Sequence, residues 1–207
     1  MSYVRFVRHS ELPMKNGFSF VLLSALCLFA PVLAHAHPGH AGPGDFAHGL
    51  IHPLTGWDHL LAIFAVSLWS AQLGGRALWL LPAVFIGGMG LGNLVLAAVP
   101  PALVATGLAG SLLVLGLLGA AAAQLPLTRS IAIVGGFALF HGGAHAARIS
   151  ATEDGFAYTL GLVGTSAMVL VVVAILAHLI PKNARTAPLR WAGAVVAVAG
   201  AMLGWQS

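Results

Sequence analysis

Histidine outnumbers the acidic residues in this 207-residue chain, ten against five. Most of these histidines fall into short groups. His37 and His40 frame a His-Pro-Gly-His run; His48, His52 and His59 follow, with Asp58 beside the last; His141 and His145 form a later pair. Neutral imidazole is a ligand for nickel, copper, zinc and cobalt, and a nearby carboxylate adds charge neutralisation. The spacing narrows the chemistry. His141 and His145 are four residues apart, one above the other on a helix face, which suits shared coordination. His52 and His59 are seven apart and share a face two turns apart. Ligand bonds of about 2 Å cannot join them on one ion unless Pro53 and Gly56 unwind the turn between them. They read as successive stations, or as one ligand with Asp58 orienting an imidazole from behind. The candidate metal ligands are therefore His37, His40, His52, Asp58, His59, His141 and His145. His178 stands alone and reads as a packing residue, and His9 and His35 lie in a leader.

The elements that must position these side chains follow from composition. Hydrophobic residues make up 59% of the chain and charged residues 7%, whereas a soluble domain carries roughly 25% charged residues. Such a chain cannot cover a water-facing surface, and the bilayer is the solvent that suits it. Residues 1–36 have the parts of a secretory signal: Arg5, Arg8 and Lys15, an apolar stretch, then Ala34-His35-Ala36 at the cleavage positions. Cleavage would leave 37–207 as one membrane domain beginning at His37. Six apolar segments follow, over 52–71, 77–98, 102–123, 130–147, 157–180 and 189–205. Each is near the roughly 20 residues a membrane-crossing helix needs. Glycine and proline punctuate the breaks at 74–76, 100–101, 126–129, 148–155 and 181–188. The expected fold is all-α, a polytopic bundle of six transmembrane helices after a cleaved signal peptide.

Basic loop residues set the orientation. Arg76, Arg129, Lys182, Arg185 and Arg190 fall on one side, against Arg148 with Glu153 and Asp154 on the other. The mature protein is thus expected in a bacterial inner membrane with both termini periplasmic. At 1.5 Å per residue, His59 and His141 then lie at one depth, about 10 Å below the outer ends of their helices. Gly88 with Gly92, and Gly200 with Gly204, are G-x-x-x-G pairs that read as helix packing. Three segments in each half permit an inverted repeat. With no basic run, nucleic acid is excluded as a partner. The single cysteine, Cys27, lies in the leader, so disulfides and thiolate metal sites are excluded from the mature chain.

The histidine motifs carry a resemblance. His37-Pro-Gly-His40, then His52-Pro-Leu-Thr-Gly-Trp-Asp58-His59-Leu-Leu-Ala, is similar to the opening of the HupE/UreJ family, as is Phe140-His141-Gly-Gly-Ala-His145. Gly74-Gly75-Arg76-Ala-Leu-Trp79 and Leu81-Pro82 also resemble the family's pattern. The resemblance runs from about His37 to His145 and more weakly to the C-terminus. It implies a hydrogenase or urease accessory protein of the nickel-permease kind, not an enzyme. It also implies nickel-enzyme maturation proteins as partners, beside membrane lipid and the ion itself. The chain departs from the pattern where Ala105 and Arg148 stand at family acids.

The expected function is a permease, or a metal-delivery accessory protein, for a divalent metal. Nickel comes first, then cobalt or another first-row metal. The ion is cargo, and no tightly bound cofactor is expected. His37 and His40 would capture it, and His52, Asp58, His59, His141 and His145 would replace its hydration shell. Two other classes compete. One is an intramembrane hydrolase, metal-dependent or serine–histidine, with Ser111 in Gly107-Leu-Ala-Gly-Ser as the nearest nucleophile pattern. The other is a non-transporting metal sensor or accessory protein.

Overall fold

The computed structural model describes residues 46–150 and 155–206. Residues 1–45, which hold the expected leader and His37 and His40, lie outside the described residues. Seven helices are described: α1 (Phe46–Thr55), α2 (Trp57–Leu73), α3 (Ala77–Val95), α4 (Pro101–Ala121), α5 (Leu127–Ser150), α6 (Gly155–Leu179) and α7 (Lys182–Gln206). By length and composition, spans within α3, α4, α6 and α7 are able to cross a membrane.

The first apolar segment is not one helix. It is broken at Gly56, whose φ of −83° and ψ of 104° are extended. Pro53 sits inside α1 and has no N–H to donate to the preceding turn. Gly56 then ends α1 by donating to His52 O (3.0 Å) and starts α2 by accepting from Leu60 N–H (2.9 Å). Two other expected breaks are shorter than read. α5 continues to Ser150, through Arg148. α7 begins at Lys182 and contains Pro188, because the proline costs that helix a single hydrogen bond in its polar second turn.

α2 is the central element, in contact with α1, α3, α4, α6 and α7. Nearly every residue from His59 to Ala71 is buried, and Trp69, Ile63 and Val66 join Phe85, Met89, Leu112 and Leu162 in the core. At 17 residues it is about 25 Å long, short for a lipid-facing span. Its solvent is the other helices. Glycines allow close approaches: Gly88 and Gly92 of α3 against α5, and Gly200 of α7 against α4. The outside of the bundle is apolar, with Leu94, Phe156, Met168 and Leu179 exposed. That inside-out distribution fits a lipid environment.

Candidate metal site

The break at Gly56 decides where the first-helix histidines go. It turns α1 away from the axis of α2, and α1 crosses α6 where Gly49 and Gly161 bring the two backbones together. His52 then reaches the ring of His145, with centroids 4.8 Å apart. His145 is in turn 5.3 Å from His59, and His59 is 5.7 Å from His141. Four imidazoles from α1, α2 and α5 form a connected chain: His52, His145, His59, His141. Two imidazoles sharing one ion, with bonds of about 2 Å, hold their centroids about 4.5–6.5 Å apart. The neighbouring pairs have that spacing, but the rings meet edge to face. Among the described residues no three His, Cys, Asp or Glu groups converge on one ion position. The arrangement is a file of rings, not a closed cage.

The second motif is held by its neighbours. Gly142 lets α5 meet the main chain of α3 at Met89, and Gly143 packs on Leu96. Phe140 lies against Gly107 of α4, where a side chain would collide with the ring. One turn along α4, Ser111 Oγ is 2.8 Å from His141 Nε2. Ser111 also donates to Leu108 O at 2.6 Å. A hydroxyl has one proton and a carbonyl can only accept, so His141 Nε2–H donates to Ser111. The proton is therefore on Nε2, and the lone pair is on Nδ1, which is buried without a hydrogen-bond partner. That nitrogen has the chemistry of a metal ligand. His59 is arranged alike: Nε2 is 3.0 Å from Ser166 Oγ of α6, and Nδ1 is buried without a hydrogen-bond partner. Both rings are almost wholly buried, and Phe85 packs beside both, 6.3 Å from His59 and 5.4 Å from His141.

This polarity argues against a serine nucleophile. A general base must accept the serine proton, whereas His141 gives its proton to Ser111. The role foreseen for Asp58 also differs. Its Oδ1 accepts from the His59 main-chain N–H at 2.8 Å, so the carboxylate it offers is bonded to the first turn of α2 and not to an imidazole. There it complements the positive end of that helix. His48 is exposed. His178 is exposed as well, lining a cavity at the far end of the bundle. Sequence reading missed Ser166. Its signal was a polar pair, Thr165-Ser166, both buried in the middle of an otherwise apolar α6.

The family described as HupE / UreJ protein matches residues 24–203. Protein HupE of Rhizobium leguminosarum bv. viciae is 37% identical over 191 residues, covering 92% of this chain and 98% of that protein. No solved structure matches. With a family match over most of its length and a relative of that identity, the chain belongs to the HupE/UreJ family.

Proposed function

We propose that the protein is an inner-membrane permease for a divalent metal, nickel first and cobalt or another first-row ion by the same chemistry. The family is associated with nickel and cobalt uptake for hydrogenase and urease, and its members are accessory and transport proteins, not enzymes. The observation that carries the reading is the file of four imidazoles, two of which keep a buried Nδ1 free of hydrogen bonds. His37 and His40 capture the ion outside the bundle. His52, His145, His59 and His141 then exchange its water for nitrogen in steps, while Asp58 contributes negative charge beside His59. Conduction requires binding strong enough to enter and weak enough to leave, and a file of two-ligand sites meets that better than a four-ligand cage. The proposal includes a cleaved leader, six membrane crossings in which α1 and α2 together make the first, and nickel-enzyme maturation proteins as recipients.

A non-transporting accessory role is the second reading, favoured by Ala105 and Arg148 at positions where the family pattern has acids. Uptake of Ni2+ into proteoliposomes separates the two. The wild-type protein is expected to load vesicles, and His59→Ala and His141→Ala to abolish loading while circular dichroism and gel filtration stay unchanged. Normal loading by His59→Ala would remove the histidine file from the mechanism.

A further inference from the structure

Two imidazoles of the file are held in the same way. Each has its Nε2 beside a serine of another helix, His59 with Ser166 at 3.0 Å and His141 with Ser111 at 2.8 Å. Each keeps a buried Nδ1 without a hydrogen-bond partner. Their ring centroids are 5.7 Å apart. Two imidazoles joined in line through one ion, with bonds of about 2 Å, hold their centroids about 6 Å apart. The 67° between the two ring planes does not oppose such a bridge, because rings can twist about a linear nitrogen–metal–nitrogen axis. Among the described residues no group of three His, Cys, Asp or Glu side chains could hold an ion together. The surroundings are apolar. Ile63 one turn from His59, Ala138 one turn from His141, Leu112 beside Ser111 and Leu162 one turn from Ser166 are all fully buried.

These features select among metals. Zn2+ takes four ligands, and Ni2+ and Cu2+ take at least as many in tetragonal or octahedral geometry. Water stays in a buried site only where it finds several polar partners, so an apolar setting does not complete the shell of such an ion. A closed-shell monovalent ion such as Cu+ is satisfied by two nitrogens in a line. Charge points the same way. Neutral imidazole brings none, and Asp58, bonded to the His59 main-chain N–H, is the one acidic residue among the described residues. One carboxylate balances a monovalent ion and leaves a divalent ion with a net positive charge. The cost of stripping an ion of water also rises with the square of its charge, about fourfold from a monovalent to a divalent ion of equal size. We propose that the His59–His141 pair is a two-coordinate site for a soft monovalent cation, Cu+ being the first-row ion of that class, and that Ni2+ occupies the same pair less tightly. The inference rests on the permease reading only in taking the histidine file as a metal site.

The test loads full-length protein with one equivalent of Cu+ under reductant, in a background of His37→Ala and His40→Ala that removes competing N-terminal histidines. X-ray absorption is expected to show two nitrogen neighbours and the edge feature of linear Cu+. Ag+, which shares that geometry and does not change oxidation state, should displace the Cu+ at stoichiometric concentration, whereas Ni2+ at roughly tenfold excess should not. In competition with a cuprous chelator, binding should be lost in His59→Ala and in His141→Ala and kept in His178→Ala. Three or more nitrogen neighbours on Cu+, or displacement by Ni2+ as ready as by Ag+, overturns the two-coordinate site, and neither result depends on how a site variant folds. So does binding indifferent to both His59→Ala and His141→Ala. Uptake by the same preparations keeps the two readings apart. Ni2+ loading of vesicles by a protein without the linear Cu+ site overturns this inference alone, and a linear Cu+ site in a protein that loads neither metal overturns the permease alone.

Discussion

His141 illustrates how far one side chain depends on a neighbour that contributes no ligand. Ser111 accepts from Nε2–H because its own proton is committed to Leu108 O, and this fixes the lone pair on Nδ1. Ser111→Ala removes the acceptor, so the ring is free to take either tautomer and to turn. Losing such a partner of a metal-binding histidine lowers affinity by about 10- to 100-fold, while a hydrogen bond between membrane helices stabilises the fold by only about 0.6 kcal/mol. The expected outcome is a variant that folds normally but binds Ni2+ at least about tenfold more weakly in competition with a chelator, with Ser111→Thr restoring affinity. Equal affinity in Ser111→Ala would mean that the bond is packing only. The histidines themselves were legible, since their type and spacing stand out in an apolar chain. Their serine partners were not, because Ser111 and Ser166 lie 30 and 107 residues from the imidazoles they touch, and no local spacing encodes that meeting.

At the level of helices, hydropathy gave the segments and glycine decided how they pack. The run over 52–71 reads as one helix because apolar residues dominate it; the bend at Gly56 comes from proline and glycine chemistry that hydropathy does not register. That bend is what lets His52 meet His145. Pro188 misled in the other direction, since a proline early in a helix removes one bond without ending it. The two glycines after His141 carry the most specific consequence. A Cβ at Gly142 would press on the main chain of Met89 and on Gly92, whereas a Cβ at Gly136, on the same helix, would meet nothing within 4 Å. Overpacking against backbone costs about 1–3 kcal/mol, and alanine is intrinsically the better helix former by about 1 kcal/mol. Gly142→Ala is therefore expected to lower the thermal midpoint in detergent and to slow uptake, as α5 is pushed off α3 and His141 moves with it. Gly136→Ala should leave both unchanged or slightly raise the midpoint. Equal behaviour of the two variants would show that α3 and α5 do not pack through Gly142.

Over the whole molecule, polarity runs inward and charge runs to one end. The helices that carry the imidazoles, α1, α2 and α5, are not among those whose length and composition suit a lipid-facing span among the described residues. They are surrounded or flanked by α3, α4, α6 and α7, which are. This division explains why composition alone establishes a membrane protein, while the number of crossings needs more than a hydropathy count. Tryptophan supplies an independent marker, because its amphipathic ring favours the two membrane–water interfaces. Trp57 and Trp205 are exposed near the start of α2 and the end of α7, Trp79 is exposed near the start of α3, and Trp191 is exposed beside Arg190 of α7. The first pair flanks the histidine end and the second the cavity end, where Arg76 and Arg190 also lie. Basic residues mark the cytoplasmic side, and the proposed orientation accordingly puts the histidine end at the periplasm. In the proposed topology each of α2 to α7 crosses, and an even number returns the C-terminus to the side from which α2 began. Alkaline phosphatase, which folds only outside the cytoplasm, should be active when fused after Ser207 and inactive when inserted after Gly75 or Gln124. Terminal sequencing of the purified protein should begin at His37. An inactive C-terminal fusion with active insertions would invert the bundle, and would put the histidine file and the cavity at the far end on sides opposite to those argued from charge.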